Sequence, residues 1–573
     1  MGIPRLIGHL QHFAETVQFT ERNAANPRLV VIDGPGLAYH AAQLALRKSK
    51  ETSSVRVPTY REIGDAALAF LRSLQLCGLS VRAIYFDGFL PNYKKEERFA
   101  RLAESTAKLD VVMPNAQKIS RCAPFIVPAV LEVLFESEFH LFTTVMPGEA
   151  DPWCAGHARD FGSMIITGDS DLLAHDLGTQ GSVAFFPSIG IDDSGVEVRE
   201  FKPARIANRL GLASIRSLAY ELLREPHRTL NEHVVLAKAL ERFSTLINLD
   251  DHGIPQPTED SSVYNISIYA QDRATAGFVS TDSQQVLLQS VLSRLDPRIS
   301  EFTQQVLSCP LDRPMLGRLN MYLPVLIENV DRASAWDCGE QIRQFGYSIV
   351  TSTLAIKPVI VHEVVRSGKR IVEKERQLFC YPTLIATFTD HIKTWLRICS
   401  ELPPPCVWRL FAVYSMWQDV SATDKTFLQF RVNVQELLGS KTHAGQYNWG
   451  TRHLDAQLQA VLYSLRMLQR FTTVFMAHPV AQQNDDFTRG VQALHDSLHS
   501  LPPLDELVQQ DYKPALEENP QLAEAITEMY ALLGVEEKWP EAAKPKKTRH
   551  ARKAKQKQQK TFERGNMYNL LDE

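Results

Sequence analysis

The chain has 573 residues, of which 44% are apolar and 22% charged, and these are ordinary globular proportions. They exclude collagen, a coiled coil and wholesale disorder, and at about 100–200 residues per domain the length predicts two to four domains. The 62 basic and 66 acidic residues give a net charge of −4, but the charge is unevenly spread. The segment Lys544–Lys560 holds nine Lys and Arg residues and no acid, which leaves 53 basic against 66 acidic residues elsewhere.

Several classes of protein have no support in the sequence. No apolar stretch approaches the roughly 18 residues of a transmembrane helix, and the N-terminus lacks a signal-peptide core, so we expect no membrane partner. The eight scattered cysteines form no CxxC pair, which predicts reduced thiols in the cytosol or nucleus. No P-loop or GxGxxG motif is present.

The first part of the chain alternates short apolar runs with helical patterns, which predicts an α/β domain with a mainly parallel sheet. Strands are predicted at Arg28–Ile32, Arg82–Phe86, Leu141–Val145, Ser163–Thr167 and Ser182–Phe186. Helices are predicted at Leu37–Leu46, Tyr60–Leu76, Lys94–Lys108, Pro128–Ser137 and Asp151–Asp160. We therefore expect one α/β domain over residues 1–245.

The remainder follows a polar stretch at 250–282 that predicts a boundary loop, and its pattern is mostly helical. One interruption, Ser348–Ile360 with the following VIVHEVVRSGKRIVEKERQL, predicts a β-hairpin that turns near Ser367 and Gly368. We accordingly expect a mostly helical domain with a hairpin at 246–540. A disordered basic tail with a short apolar terminus should follow at 541–573.

Acidic residues follow the predicted strands at the point where each strand ends. They are Asp33, Asp87, Glu149, Asp151, Asp169 and Asp171. The carboxyl ends of parallel strands meet at one crevice, so these side chains should lie together and repel unless cations join them. Mg²⁺ or Mn²⁺ would suit such oxygen ligands, and two ions about 4 Å apart can promote phosphodiester hydrolysis. Taken singly, each motif is equally an ordinary turn or helix N-terminus.

The motifs MGIPRLI, VIDG, YFDG, PGEAD and TGDSD, in this order, resemble those of the flap endonuclease/XPG superfamily of PIN-like nucleases. More narrowly, the chain resembles the fungal Asteroid-type members of that superfamily. The resemblance implies a PIN-like fold, the six carboxylates as ligands of two Mg²⁺ ions, and Gly2 beside the active site. It also implies a structure-sensitive endonuclease that acts on branched or overhanging DNA, with RNA as the alternative substrate and DNA repair as the setting.

Three basic residues follow Asp87 at helical spacing, namely Lys94, Arg98 and Arg101. On one helix face beside an acidic crevice, they would hold the scissile phosphate and neutralise its charge. The resemblance gives this role to Lys94 and Arg101 and leaves Arg98 as a further candidate. The alternative is a solvated helix face with ordinary Glu–Arg pairs.

The sequence departs from the superfamily pattern after the α/β part. Flap endonucleases have a further carboxylate here, followed by a glycine-rich element that grips duplex DNA. Glu225 is the candidate for that carboxylate, but no glycine-rich element follows. This departure favours a second hypothesis, a non-catalytic PIN-like scaffold that binds RNA or protein in post-transcriptional regulation. The six retained acids favour catalysis.

The basic tail has two interpretations, nuclear import or sequence-independent binding of phosphates. The candidate contacts are Lys546, Lys547, Arg549, Arg552 and Lys553. We expect nuclear import, with cytoplasmic location as the alternative. A protein partner could bind the C-terminal domain or the tail, where MYNLLDE ends the chain.

Overall fold

The computed structural model describes thirteen stretches of the chain: 2–51, 58–90, 94–112, 123–224, 235–236, 238–240, 283–308, 318–354, 360–379, 382–418, 449–483, 485–508 and 520–532. The predicted boundary loop at 250–282 and the basic tail lie outside these residues. Within them, no helix combines the length and apolarity needed to cross a bilayer. The five cysteines that fall in them are all free thiols.

A seven-stranded sheet forms the centre of the N-terminal part. Its strands are β1 (Glu15–Phe19), β2 (Arg28–Asp33), β3 (Leu79–Phe86), β4 (Thr143–Val145), β5 (Met164–Thr167), β6 (Ser182–Asp192) and β7 (Gly195–Phe201). They lie in the order β1-β7-β6-β5-β2-β3-β4. The run from β6 to β4 is parallel, whereas β7 and β1 add antiparallel strands at one edge. The prediction of an α/β fold with a mainly parallel sheet is confirmed.

Among the described residues of this part, the sheet is accompanied by the helices α1 (Leu6–Leu10), α2 (Gly34–Glu51), α3 (Tyr60–Leu76), α4 (Lys95–Val112), α5 (Ile126–Phe135), α6 (Asp151–Phe161), α7 (Pro203–Leu210) and α8 (Ile215–Arg224). The central strands are buried on both faces, which explains their continuous apolar runs. In β2, Val30 and Ile32 pack in one core with α2, α3 and α5. Val31 points to the other face and packs with α1, α6, α7 and α8.

The C-terminal part is mostly helical, with nine helices and a small sheet among its described residues. The helices are α9 (Ser283–Leu292), α10 (Pro297–Leu307), α11 (Glu340–Thr351), α12 (Pro382–Ile398), α13 (Pro404–Gln418), α14 (Trp449–Ala477), α15 (Asp486–Ser497), α16 (Leu504–Leu507) and α17 (Pro520–Leu532). The strands are β8 (Asn320–Tyr322), β9 (Ile360–Ser367) and β10 (Arg370–Gln377). The predicted hairpin is confirmed as β9 and β10. Ser348, which the sequence placed at its start, belongs instead to α11.

The two parts share one apolar core. A single cluster of buried side chains includes Ile84 and Val145 of the large sheet together with Phe302 and Leu468 of the C-terminal helices. The edge strand β4 is also bonded to the C-terminal part, since the Val145 N–H donates to the Ser293 carbonyl at 2.8 Å. The C-terminal part is therefore packed directly against the end of the sheet that carries the acids.

Candidate active site

The sheet brings four acid-bearing strand ends to one edge. Asp33 is the last residue of β2, and Asp87 directly follows β3. Glu149 and Asp151 lie where the chain passes from β4 into α6, and Asp169 and Asp171 follow β5. Because β5, β2, β3 and β4 are adjacent and parallel, their carboxyl ends open onto the same crevice.

Asp33 sits at the bottom of this crevice and is only 9% exposed. The Thr167 hydroxyl donates to its Oδ2 at 2.8 Å, and the Gly36 N–H donates to its Oδ1 at 3.3 Å. Burial raises the pKa of the Asp33 carboxyl, the charge of Asp169 raises it further, and the two hydrogen bonds only partly offset these effects. Asp33 is thus an acid held in place at an electrostatic cost.

Asp87 is fixed by the loop that carries the next acid. The Ala150 N–H donates to Asp87 Oδ1 at 2.7 Å, and the Gly88 N–H donates to the Gly148 carbonyl at 3.0 Å. Burial, with smaller contributions from Asp33 and Glu149, raises the pKa of Asp87 to about 6. The loops after β3 and β4 are therefore tied together around this carboxylate.

Asp151 is the acid most strongly affected by the others. Burial is the largest cause that raises its pKa well above the usual value, and four carboxylates add to the effect: Asp33, Asp169, Asp87 and Glu149. These five acids are called the carboxylate crevice below. Their mutual repulsion shows that the fold concentrates negative charge at this point.

Asp169 is placed by its own turn and by the N-terminus of the chain. Its N–H donates to Thr167 Oγ1 at 2.9 Å, and its Oδ1 accepts from the Asp171 N–H at 3.2 Å. Gly2 has a φ of +101°, and a Cβ at this position would lie 2.1 Å from Asp169 Oδ1. The Ser170 hydroxyl also donates to the Ile3 carbonyl at 3.2 Å. Gly2 therefore lies against the site, and Asp171 adjoins it through the backbone.

The three basic candidates take different partners. Lys94 immediately precedes α4 and forms an ion pair with Glu149 of the carboxylate crevice. Arg98 pairs with Glu301 in α10, and Arg101 pairs with Glu97 on its own helix. The structure thus brings Lys94 to the acids and gives Arg98 and Arg101 other partners. Glu225 and the tail residues Lys546, Lys547, Arg549, Arg552 and Lys553 lie outside the described residues.

The donor set of the crevice fits a hard divalent cation. In the part of the chain that the structure describes, no group of three or more Asp, Glu, His or Cys side chains is arranged closely enough to hold a metal ion. Mg²⁺ does not need one, because it usually keeps several waters and takes one or two carboxylates from the protein. Carboxylates whose pKa values are raised by one another are the groups that such a cation would stabilise.

Two contacts that orient the acids were not predicted from the sequence, because no motif marks the residues that make them. The Thr167 hydroxyl, which orients Asp33, ends the run that predicted β5. The Ala150 N–H, which orients Asp87, is a backbone group between two acids. Glu301, the partner of Arg98, is 203 residues away from it in the chain, so no local pattern could pair them.

Sequence comparisons agree with the fold and the crevice. A family model described as "XPG domain containing" matches residues 122–378, which include the acids after β4 and β5 and continue to the end of β10. Asteroid homolog 1 of Schizosaccharomyces pombe (strain 972 / ATCC 24843) is 26% identical over 205 residues. That match covers 35% of this chain and 36% of the relative, so it spans about a third of the curated protein's length.

The mainly parallel sheet, with acids at the carboxyl ends of its strands, fits a PIN-like fold. The XPG-domain match includes four of the six acids, namely Glu149, Asp151, Asp169 and Asp171. XPG proteins form a nuclease superfamily, which supports a nuclease-type function. The two matches together support the resemblance of this chain to Asteroid-type proteins of that superfamily.

Proposed function

We propose that the chain is a Mg²⁺-dependent nuclease that hydrolyses phosphodiester bonds in branched or overhanging DNA, with RNA as the alternative substrate. The observation that carries this proposal is the carboxylate crevice, where the charges of four acids raise the pKa of Asp151. A scaffold that only binds RNA or protein gains nothing from partly buried acids that repel one another. Divalent ions held there would activate water and offset charge on the phosphate.

The chain's own residues supply the positioning. Thr167 and Gly36 orient the Asp33 carboxylate, and the Ala150 N–H orients that of Asp87. Lys94 adds a positive charge at the rim of the crevice, where its ammonium group can hold a phosphate oxygen. Arg101, whose side chain is 46% exposed, is free to leave its surface pair with Glu97 for substrate, because such pairs are weak.

Cleavage of labelled flap, bubble, overhang and single-stranded DNA and RNA tests this function. Wild type with Mg²⁺ should cleave at least one substrate, while Asp169→Asn and Asp171→Asn should lose about 10²–10³-fold in kcat. Asp160→Asn, at the exposed far end of α6, is the control and should cleave normally. If purified wild type, Asp169→Asn and Asp171→Asn are all equally inert and all retain RNA binding, the scaffold function is established instead.

We also propose a nuclear location and a role in DNA repair. The nine basic residues of Lys544–Lys560 support nuclear import. Microscopy of the full chain beside one that ends at residue 540 checks the first proposal, since only the full chain should concentrate in the nucleus. Sensitivity of a deletion strain to DNA damage, and its rescue by wild type but not Asp169→Asn, checks the second.

Gly2→Ala should reduce cleavage sharply without unfolding the protein. The new Cβ would lie 2.1 Å from Asp169 Oδ1, at a residue whose φ of +101° already disfavours any side chain. A shift of about 1 Å at a reacting group can cost about 10²-fold in rate, and we expect a loss of that order in kcat. Gly8→Ala in α1 is the matched control, because nothing lies within 4 Å of a Cβ there. Equal activities of the two variants would show that Gly2 has no part in the site.

A further inference from the structure

The first turn of α4 lies between the carboxylate crevice and the C-terminal part of the chain. Lys94, just before the helix, pairs with Glu149 in the crevice. Lys95 and Arg98, one and four residues further on, pair with acids of the C-terminal part. This short stretch is therefore held from both sides.

Arg98 makes the most enclosed of these contacts. It forms an ion pair with Glu301 of α10, and the side chains are only 19% and 7% exposed. Its guanidinium also lies over the ring of Tyr322 in β8, 4.3 Å from the ring centre. A charge pair and a cation–π contact on one guanidinium fix its position more closely than a surface ion pair would. Arg98, Glu301 and Tyr322 are called the α4 clamp below.

Neighbouring contacts support the clamp. Lys95 pairs with Glu373 of β10 at 3.1 Å, and Glu373 pairs with Arg318 at 2.6 Å. Phe99, one turn along α4 from Lys95, packs edge-on against Tyr322 with ring centres 6.3 Å apart. Both strands of the small sheet that face α4 thus contribute to its docking.

The surface that carries Glu301 and Tyr322 is itself firmly joined to the crevice. Gln305 of α10 accepts the Asn320 N–H and donates to the Asn320 carbonyl, both at 2.9 Å, which ties α10 to β8. Next to Asp87, Gly88 packs so closely on α10 that a Cβ there would lie 2.8 Å from Ser300 Oγ. α10 therefore packs tightly against the loop that bears Asp87. Because the α4 clamp attaches α4 to α10, it also fixes the position of α4 relative to the carboxylate crevice.

We propose that Glu301 and Tyr322 are positioning residues of the active site, which hold Arg98 so that Lys94 stays at the carboxylate crevice. This inference rests on the proposed nuclease function, in which Lys94 holds a phosphate oxygen. The C-terminal part is then a component of the site, because its Glu301 and Tyr322 position a residue beside the crevice.

Steady-state cleavage by Arg98→Gln and Tyr322→Leu tests the proposal. Each should lose about tenfold in kcat through misplacement of Lys94, with little change in KM or in the Mg²⁺ concentration for half-maximal rate. In a Lys94→Ala background the same substitutions should cost nothing further, because a residue that acts only through Lys94 has nothing left to position. Arg72→Gln, which breaks the exposed Arg72–Glu138 pair, is the control and should leave kcat unchanged. A full tenfold loss that persists without Lys94 would overturn the proposal, as would unchanged kcat in both clamp variants.

A second measurement needs no nuclease activity. In metal-free full-length protein, amide exchange of α4 and the rate of chemical labelling of the Lys94 amine, both read by mass spectrometry, report whether the clamp holds this segment. Arg98→Gln and Tyr322→Leu should increase both rates several-fold, and Arg72→Gln should not. A wild type that cleaves nothing would count against the proposed function alone, whereas unchanged labelling in the clamp variants would overturn the positioning role itself.

Discussion

Replacing Asp151 by Asn is expected to stabilise the metal-free protein while it sharply reduces the rate of cleavage. In wild type, burial and the charges of neighbouring carboxylates raise the pKa of Asp151. A raised pKa means that the folded state resists ionisation, so stability is lost as the pH rises through the ordinary range of a carboxyl. Asn removes this cost and should add about 1–2 kcal/mol at pH 7. The dipole of α6 favours an acid at its first residue by only about 0.3–1 kcal/mol, which is the smaller effect.

Denaturant unfolding with and without Mg²⁺ measures this trade-off. Without the ion, Asp151→Asn should be more stable than wild type, and the difference should grow as the pH rises above the ordinary pKa of a carboxyl. Mg²⁺ should stabilise wild type by binding to the folded state and should do less for the variant. In the cleavage assay we expect a loss of about 10²–10³-fold or more. Asp160→Asn tests the same chemical change at the exposed end of α6, where both stability and rate should stay near wild type. A metal-free Asp151→Asn protein less stable than wild type would refute the idea of repelling carboxylates.

The strands of the large sheet differ in how readily they can be predicted from the sequence. The five strands that the sequence predicts are parallel and lie beneath helices on both faces of the sheet. Most of their residues are therefore apolar, and such continuous apolar runs are easy to recognise. β7 was missed although Val196 and Val198 alternate with exposed charged residues, a pattern that does indicate a half-buried strand. β1 could hardly be found, because Phe19 is its only buried residue and its pairing with β7 spans almost 180 residues.

Part of the candidate site could be predicted from the sequence and part could not. The order of the acids along the chain was enough to place them on neighbouring strand ends, because parallel topology sends all those ends to one edge. The basic residues were harder, since the one-face argument assumed that Lys94 lies inside the helix. Lys94 lies one residue before α4, where the helical turn starts, and its side chain pairs with Glu149. Arg98 is engaged by Glu301 and Tyr322, which belong to a part of the fold that no local pattern connects to it.

The C-terminal part depends on a buried ionic cluster around Glu363 of β9. Its carboxylate accepts from Arg343 Nε at 2.6 Å, from Arg376 Nε at 2.7 Å and from the Tyr347 hydroxyl at 2.9 Å. The side chains of Glu363 and Arg343 are both 0% exposed. Arg343 also donates to Ser464 of α14 at 3.1 Å, so the cluster connects the small sheet to the longest helix described. Removing one member of such a group leaves a buried charge without its counter-charge.

Glu363→Gln should therefore destabilise the protein by about 3–5 kcal/mol, the range for breaking a buried pair. Burial alone would raise the pKa of Glu363, but Arg343 and Arg376 outweigh it and lower the pKa from 4.5 to about 2. A lowered pKa contributes stability that is present above pH 4.5 and is lost as the pH falls towards 2, so the difference between wild type and variant should shrink across that interval. Denaturant unfolding at several pH values measures both effects. Glu375→Gln, an exposed site on β10, should change stability by less than about 0.5 kcal/mol. If the two variants prove equally mild at pH 7, the cluster is not what joins β9 to α14, and apolar packing alone must hold this part of the fold against the crevice.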